Sequence, residues 1–287
     1  MSMPAKLPVN PRGSLRRAGT ELVWGARTYI MGVVNVTPDS FSGDGRADPA
    51  YASAHALAQA SRGADILDIG AESTRPGYVP VDVKTEAARL LPVVQDVRRR
   101  LPHALISVDT YKAQVFRRAC QAGANILNCI WGLPDELLQA AAENQTPVVI
   151  MHNKERAEYG EVMDEVLRFL DTAAKRAVQA GIPPEAVILD PGIGFGKTPD
   201  HNLAVLHELP RLTALGFPTL IGTSRKSTIG KLTGKPVHAR IAGTTATTAL
   251  AVAAGIDIVR VHDVDEALDA VRVSDAIVRG WRPASWT

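Results

Sequence analysis

The chain has 287 residues, of which 46% are hydrophobic and 22% are charged, a composition that suits one large globular domain or two modest ones. Its formal net charge is +2 and its Lys and Arg residues are scattered, which excludes the dense basic stripe of a nucleic-acid-binding protein. The two cysteines, Cys120 and Cys129, have neither Cys-x-x-Cys spacing nor companion histidines, which indicates a reducing compartment rather than a disulfide framework or a zinc site.

The chain shows no sign of a targeting or membrane-spanning segment. Residues 1–14 contain no apolar core that could act as a signal sequence, and no later window approaches 18 unbroken apolar residues. We therefore expect a cytoplasmic protein without a membrane partner. Since no linker, low-complexity tract or repeat divides the sequence, we expect a single domain over residues 1–287.

The first predicted elements are a hairpin and a series of strands. The segment LRRAGTELVWGART (15–28) predicts a short hairpin that turns near Gly25. Eight runs rich in β-branched residues follow, nearly continuous in hydrophobicity, as is typical of strands buried on both faces of a parallel sheet. They are 29–36, 64–71, 105–110, 125–130, 147–152, 186–192, 218–224 and 257–263.

Helical periodicity fills the segments between these strands, for example in 50–63, 85–100 and 162–181. Glycines typical of helix C-termini precede four of the strands, namely Gly63, Gly123, Gly181 and Gly255. Eight βα units predict an α/β fold of the (β/α)8 TIM-barrel type over about residues 29–278, with a doubly wound open sheet as the alternative. The N-terminal hairpin could then close the bottom of the barrel.

Polar side chains lie at or just after the C-terminal ends of the predicted strands. In a parallel barrel these ends converge on one mouth, so the polar residues become neighbours there. For any single one of them, a helix N-cap or a buried group bonded to backbone remains the alternative. They are Asn35, Asp39, Glu72, Thr74, Arg75, Asp109, Asn128, His152, Asp190, Ser224, Arg225, Lys226, Arg260 and His262.

Strand alternation points Asp109, Asn128 and Asp190 into the top of the barrel, where an unpaired carboxylate costs several kcal/mol. A flat heterocycle with adjacent N–H and amino donors would satisfy these acceptors, and Lys226 would donate to a carbonyl or ring nitrogen of the same ligand.

The segment RVHDV (260–264) places Arg260 and His262 on one face of an extended strand. An arginine fork beside a histidine donor suits phosphate or pyrophosphate, so the pair predicts an anion clamp. The alternative is that Arg260 pairs with Asp263 or Asp257 and that His262 caps the following helix.

Three loops rich in glycine or proline follow strands. DPGIGFGKT (190–198) has neither P-loop nor dinucleotide-fingerprint spacing, and we expect its glycines to let backbone approach a ligand beside the aromatic face of Phe195. NVTPDSFSGDG (35–45) and STRPG (73–77) are of the type that closes over a barrel mouth.

In this order, NVTPDSFSGDG, GAESTRPG, ISVDT, DPGIGFGKT, GTSRKS and RVHDV closely resemble the dihydropteroate synthase family of folate biosynthesis, over residues 30 to about 275. The resemblance implies that 7,8-dihydropterin-6-ylmethyl diphosphate reacts with 4-aminobenzoate, with Mg²⁺ assisting, to give dihydropteroate and pyrophosphate. It also implies a homodimer, for which the apolar region 264–281 could serve.

The resemblance also implies roles for individual residues. The pterin ring would be held by Asp109, Asn128, Asp190 and Lys226. The diphosphate would be held by Asn35, Thr74, Arg260 and His262, with Asn35 also binding Mg²⁺. The 4-aminobenzoate pocket would be built from Phe41, Thr74, Arg75, Pro76, Phe195 and Ser227. Lys226, Arg260, His262 and Asn35 would be the catalytic residues.

The chain departs from the family pattern at Cys129, where an Asp is usual, at Asn153, and in the segment SGDG (42–45). We expect Cys129 to face away from the pterin, because it follows Asn128 by one residue. A pterin-binding methyltransferase and a catalytically silent paralogue are the alternatives. The methyltransferase has no need for SRKS, STRPG or an arginine-histidine clamp.

Overall fold

Strands and helices alternate through most of the chain in the computed structural model, which describes residues 13–37, 48–72, 79–283 and 285. The strands are β1 (Ser14–Arg17), β2 (Thr20–Val23), β3 (Tyr29–Asn35), β4 (Ile66–Gly70), β5 (Leu105–Asp109), β6 (Ile126–Cys129), β7 (Val148–Met151), β8 (Val187–Asp190), β9 (Leu220–Ile221) and β10 (Ile258–Val261). The helices are α1 (Pro49–Ser61), α2 (Val83–Arg100), α3 (Ala113–Ala122), α4 (Asp135–Glu143), α5 (Val162–Gln179), α6 (Pro199–His207), α7 (Leu209–Thr213), α8 (Ser227–Thr233), α9 (Ile241–Ala253) and α10 (Val264–Val278).

Strands β3 to β10 form one parallel sheet, in the order β8-β7-β6-β5-β4-β3-β10-β9. A parallel bridge between Leu189 and Thr219 joins β8 to the residue before β9, so the two ends of the sheet meet. The predicted TIM barrel is therefore confirmed, and the doubly wound open sheet is wrong. Within the described ranges, no helix is long and apolar enough to span a membrane.

The register of the strands decides which polar residues face the barrel interior. Asn35, Gly70, Asp109 and Asn128 are successive Cα partners across β3 to β6. Partners in register point to the same side of a sheet, and so do residues two positions apart in one strand. Asp68, two residues before Gly70, therefore faces inward with this layer.

The N-terminal hairpin closes the end of the barrel opposite to the carboxyl ends of the strands. Trp24 is completely buried and its Nε1 donates to the Glu185 carbonyl at 2.9 Å, while the Thr20 hydroxyl donates to the His103 carbonyl at 2.9 Å. Both acceptors lie in segments that lead into the N-terminal ends of barrel strands. The expected position at the bottom of the barrel is therefore confirmed.

The expected turn of this hairpin near Gly25 is wrong. Arg17 pairs with Thr20, so the chain reverses through Ala18 and Gly19, whose φ values are 51° and 82°. Two central residues with positive φ match the twist of the flanking strands in a two-residue hairpin turn. Gly25 also has a positive φ, but it follows the second strand.

The predicted helices 50–63, 85–100 and 162–181 correspond to α1, α2 and α5. The glycines expected after four of the helices all have left-handed backbone, with φ values of 104°, 115°, 98° and 87° at Gly63, Gly123, Gly181 and Gly255. Glycine reaches this region without the steric cost that a Cβ brings, which explains why a glycine marks these helix ends.

Candidate active site

A cluster of four polar side chains from four strands lies inside the mouth of the barrel. Arg260 Nε donates to Asp68 Oδ2 at 2.6 Å, and its Nη2 donates to Asp109 Oδ2 at 3.2 Å. Asn128 Nδ2 donates to the same Asp68 oxygen at 3.0 Å. The buried Asp68 carboxylate thus joins β4 to β6 and β10, and Arg260 joins this group to Asp109 on β5.

Asp68 is the member of this cluster that sequence reasoning missed. It is completely buried and lies within the apolar run ILDIG, two residues before the end of β4. The available signal was an acidic residue inside a strand that is otherwise buried on both faces, since such a charge needs a partner.

The alternative partners considered for Arg260 are wrong. Asp263 accepts from Arg225 Nε at 2.8 Å, and the Asp257 carboxylate accepts from the Thr219 backbone N–H at 2.8 Å. The residue at the N-cap of α10 is Asp263, and no side-chain hydrogen bond caps that helix, so His262 does not cap it.

Asp109 has a raised pKa and an oxygen that could accept a hydrogen bond from a ligand. Burial, and then the charge of Asp68, raise its pKa to about 7, while Arg260 opposes this rise. Oδ1 of Asp109 and Oδ1 of Asp68 are both buried without a hydrogen-bond partner among the described residues. Buried polar atoms are normally paired, so these oxygens favour a polar ligand in the mouth.

We expect the raised pKa of Asp109 to make stability depend on pH. The unfolded carboxyl has its ordinary pKa of 3.8, so between about pH 4 and pH 7 the folded state binds more protons, and the free energy of unfolding falls as pH rises. Melting temperatures of Asp109→Asn and of the unchanged chain should therefore diverge across this window, with the variant gaining relative stability at the upper end. Asp135→Asn, at a side chain that is 93% exposed, is the control. Parallel curves for Asp109→Asn would contradict this assignment.

Asp190 and Lys226 form the second half of the mouth. Asp190 Oδ1 accepts from the Gly192 backbone N–H at 2.8 Å, and Lys226 Nζ donates to the Ile193 carbonyl and lies 4.6 Å from the centre of the Phe195 ring. Burial lowers the pKa of Lys226 to about 8, and the charge of Asp190 opposes this shift. Burial likewise raises the pKa of Asp190, and Lys226 opposes that rise.

The two halves meet at Gly222. A Cβ at this position would lie 3.7 Å from the Cβ of Arg260 and 3.9 Å from Nζ of Lys226. Gly222 thus lies between β10 and Lys226 Nζ, and the charge of Arg260 contributes to the lowered pKa of Lys226. The structure therefore brings Asp109, Asn128 and Arg260 to the same end of the barrel as Asp190 and Lys226.

The glycines of DPGIGFGKT allow close packing of this loop against the rest of the protein. Gly192, Gly194 and Gly196 have φ values of 71°, 80° and 54°. A Cβ at Gly192 would lie 1.9 Å from the His152 carbonyl oxygen, and one at Gly196 would lie 2.1 Å from the Lys154 carbonyl oxygen. The loop after β8 therefore packs directly on the backbone that follows β7.

Gly192→Ala should destabilise the fold strongly, because it combines a strained φ with a clash against backbone that cannot rotate away. We expect the melting temperature to fall by at least about 5 °C, the effect of roughly 2 kcal/mol in a chain of this size. Gly181→Ala is the matched control, since Gly181 has a φ of 98° and nothing lies within 4 Å of its Cβ position. Equal losses in both variants would show that the backbone strain alone acts.

His262 and Asn35 lie at the same end. The Ser224 hydroxyl oxygen accepts from the His262 backbone N–H at 3.2 Å and lies 3.0 Å from His262 Nδ1. Asn35 is the last residue of β3 and shares the interior layer of Asp109 and Asn128. Ser227 is exposed and begins α8 directly after Lys226.

Several predicted positions cannot be compared with the structure. Asp39, Phe41, Thr74, Arg75 and Pro76 lie outside the described residues.

Cys129 is completely buried within the apolar core, and burial raises the pKa of its thiol to about 12, which agrees with the expected packing role.

A buried ionic network joins the two sides of segment 73–78. Glu72 Oε1 accepts from the Val81 backbone N–H at 3.1 Å and from the Tyr111 hydroxyl at 2.8 Å. Lys112 Nζ contacts the Glu72 carboxylate and donates to Glu86 Oε2 at 2.6 Å. The network thus fixes residues 72 and 81 relative to the end of β5.

Lys197 is a second residue that sequence reasoning missed, although it belongs to the quoted loop. Its Nζ lies 2.9 Å from His152 Nδ1 and 3.1 Å from the Gly192 carbonyl oxygen. Burial lowers the pKa of Lys197 to about 7, and the nearby Asp190 opposes this shift. Burial, followed by the charges of Lys197 and Lys154, lowers the pKa of His152 to about 3, so His152 is neutral near pH 7.

Comparison with known proteins agrees with this geometry. Residues 31–262 match the family model of the pterin binding enzymes. Dihydropteroate synthase of Clostridium beijerinckii is 44% identical over 259 residues, which are 89% of this chain and 96% of that protein.

Two solved structures extend the comparison. Dihydropteroate synthase of Clostridium difficile, solved in the presence of pteroic acid, has a TM-score of 0.86 at 43% identity and is matched over 89% of this chain and 98% of its own. The Xanthomonas albilineans enzyme with 4-aminobenzoic acid has a TM-score of 0.87 at 43% identity, over 92% and 97% of the two chains. The order of motifs, the polar barrel mouth and these relatives agree, and the chain therefore belongs to the pterin-binding enzyme family as one of its dihydropteroate synthases.

Proposed function

We propose that this chain joins 4-aminobenzoate to 7,8-dihydropterin-6-ylmethyl diphosphate in the barrel mouth and releases pyrophosphate. The observation that carries the proposal is the convergence of buried acceptors and two cations, Lys226 and Arg260, on one end of a closed barrel. The two solved relatives were obtained with pteroic acid and with 4-aminobenzoic acid. Pteroic acid resembles the product of this reaction, and 4-aminobenzoic acid is its second substrate.

The pterin ring is assigned to Asp109, Asn128, Asp190 and Lys226. An ionised carboxylate only accepts hydrogen bonds, and the adjacent N–H and amino donors of a pterin would favour the ionised form of Asp109, whose pKa is raised to about 7. Oδ1 of Asp109 has no partner among the described residues, so it can accept from such a donor. Lys226 can turn from the Ile193 carbonyl to a carbonyl or ring nitrogen of the pterin, because an ammonium carries three protons.

The diphosphate is assigned to Arg260 and His262, together with Asn35 and Thr74. The contacts of Arg260 with Asp68 and Asp109 use Nε and Nη2, so the N–H groups of Nη1 can donate to an anion. Two buried carboxylates fix the guanidinium before substrate arrives. Such preorganised charge stabilises a leaving group without reorganisation during the reaction.

The reaction is a dissociative substitution. The bond between the exocyclic methylene carbon and the diphosphate oxygen breaks, and the electron pair leaves with pyrophosphate, next to Arg260 and His262. The electron-rich pterin stabilises the resulting cation, and the amine nitrogen of 4-aminobenzoate forms the new bond and then loses a proton to solvent water. An aromatic amine is neutral near pH 7, so positioning rather than a general base supplies much of the rate.

The second substrate is assigned to Phe195 and Ser227 in the described residues, and to Phe41, Thr74, Arg75 and Pro76 outside them. Phe195 lies beside Lys226, so a ring stacked on it would be next to the pterin. Ser227, exposed at the first turn of α8, can donate its hydroxyl to a carboxylate.

Magnesium fits these residues as an ion carried mainly by the diphosphate. Within the described ranges, no group of three or more His, Cys, Asp or Glu side chains is placed to hold a metal ion. Mg²⁺ is commonly bound through one or two protein oxygens, substrate phosphates and water, and the Asn35 amide oxygen is suited to the protein contribution. When bound, the ion would supply positive charge to the departing pyrophosphate.

We also propose a cytoplasmic homodimer of single-domain subunits, each formed by residues 1–287. Helices α9 and α10 pack on each other and expose Leu250, Val273 and Ile277, which are 68%, 62% and 78% accessible. Large apolar side chains exposed together favour a protein contact. Sedimentation should give a dimer for the unchanged chain and a monomer for Val273→Glu with Ile277→Glu. A monomeric unchanged chain would contradict the proposal.

Pyrophosphate release tests the proposed function. We expect release only when both the pterin diphosphate and 4-aminobenzoate are present, with dihydropteroate formed in equal amount and with loss of activity when Mg²⁺ is chelated. Methyl transfer from methyltetrahydrofolate without pyrophosphate release would identify a methyltransferase instead. Binding of the pterin without turnover would identify a silent paralogue.

A further inference from the structure

We propose that Lys197 is a positioning residue for 4-aminobenzoate, which holds segment 192–195 in shape and thereby fixes the Phe195 ring. The inference rests on the proposed function, because it takes Phe195 as part of the 4-aminobenzoate pocket. Lys197 itself is not proposed to touch either substrate.

The contacts of Lys197 join two loops at the barrel mouth. Its Nζ lies 2.9 Å from His152 Nδ1, 3.1 Å from the Gly192 carbonyl oxygen and 3.3 Å from the Phe195 carbonyl oxygen. The His152 carbonyl oxygen lies a further 3.4 Å from the same atom, so the three protons of the ammonium form are shared among four acceptors. One side chain therefore ties the loop after β8 to the residue that follows β7.

The segment around Phe195 needs such a tie because glycines flank it. Gly194 and Gly196 adopt positive φ values, and a chain with glycine on both sides of one residue has many accessible conformations. The Phe195 backbone N–H donates to the Gly192 carbonyl at 3.2 Å, and Lys197 binds both carbonyls at the ends of this turn. Lys197 thus closes the turn that carries the Phe195 ring.

The partner of Lys197 is itself held in place. His152 is buried, and its ring meets the Phe169 ring edge-on with centres 5.1 Å apart. Its Nδ1 can accept from Lys197 only when the proton is on Nε2. The low pKa of His152, caused first by burial, keeps the ring neutral and leaves Nδ1 as an acceptor.

The segment that Lys197 closes also touches Lys226. The Ile193 carbonyl accepts from Lys226 Nζ, and the Phe195 ring lies 4.6 Å from that atom. Asp109, Asn128 and Arg260 belong to other strands, and among the described residues their side-chain hydrogen bonds are with one another and with Asp68. Asp190 and Lys226 meet the turn at the backbone of Gly192 and Ile193, whereas Phe195 lies within it. Loss of Lys197 should therefore weaken the use of 4-aminobenzoate more than the binding of the pterin.

Steady-state kinetics of Lys197→Met tests this inference, since methionine has a similar length and no donors. We expect KM for 4-aminobenzoate to rise at least about tenfold, with kcat and the Kd of the pterin diphosphate changed less than about threefold. Lys154→Met is the matched control. It removes a neighbouring lysine whose Nζ binds Glu165 and the Glu158 carbonyl, and it should leave KM within about twofold.

A double-mutant cycle with Phe195→Ala separates positioning from general support of the fold. If Lys197 acts through Phe195, Lys197→Met should raise KM by less than about twofold once Phe195 is already alanine. Equal increases in both backgrounds, or no increase in either, would overturn the inference. Should Lys197→Met not fold, Lys197→Gln enters the same cycle with the same expected outcomes.

The unchanged chain in the same assay distinguishes the two proposals. If it releases no pyrophosphate with both substrates, the proposed function fails. If it turns over normally and Lys197→Met has an unaltered KM, the role of Lys197 alone fails.

Discussion

Arg260→Ala should lower kcat/KM more than tenfold, a loss of transition-state stabilisation above about 1.4 kcal/mol. The substitution removes the donor assigned to the departing pyrophosphate and also leaves Asp68 and Asp109 without their cation. Because Asp68 is completely buried, we also expect the free energy of unfolding to fall by about 3 kcal/mol or more. Steady-state kinetics and urea unfolding measure the two effects separately.

Arg27→Ala is the control for the loss of an arginine-carboxylate pair. Arg27 Nη1 donates to Asp65 Oδ2 at 3.0 Å near the opposite end of the barrel, close to where β3 and β4 begin. Arg27→Ala should lower the free energy of unfolding but keep kcat/KM within about threefold of the value for the unchanged chain. Near-normal turnover in Arg260→Ala would remove Arg260 from its proposed role.

Lys226→Ala should also lower kcat/KM more than tenfold, again more than about 1.4 kcal/mol, because the pterin loses its cationic donor and Asp190 loses its neighbouring positive charge. Much of this loss should be visible as weaker binding of the pterin diphosphate, which calorimetry can measure directly.

Lys231→Ala supplies the comparison for Lys226→Ala. Lys231 is exposed in α8, the helix that begins directly after Lys226, and we expect its loss to leave pterin affinity unaltered. If Lys226→Ala bound the pterin diphosphate as tightly as the unchanged chain, the ring would have to be held elsewhere.

The sequence allowed the barrel to be predicted because its signal is repeated. Eight apolar runs, each followed by a helical pattern, leave few alternatives, and four glycines at helix ends mark the boundaries. The hairpin turn was predicted at the wrong glycine because the pairs Ala18-Gly19 and Gly25-Ala26 are both compatible with a turn. Only the pairing of Arg17 with Thr20 distinguishes them.

The residues of the barrel mouth could be predicted where a polar residue ends a strand. They could not be predicted where a polar residue lies deeper in a strand, or where a residue acts through contacts with the backbone of another loop. Asp68 lies two residues before the end of β4, so reading only strand ends overlooked the acid that joins Arg260 to Asn128. The role of Lys197 depends on two loops that are distant in sequence. The glycines of its loop are needed because the backbone of His152 and Lys154 packs directly against them. Such contacts become visible only in three dimensions.

The central claim is that one end of the barrel holds the pterin ring and the diphosphate side by side. A crystal structure of the chain with the intact pterin diphosphate tests it most directly. We expect the ring donors within hydrogen-bond distance of Asp109 and Asp190, Lys226 on the opposite edge of the ring, and the diphosphate against Arg260 and His262. A ring bound outside the mouth, or a diphosphate that contacts neither Arg260 nor His262, would contradict the account.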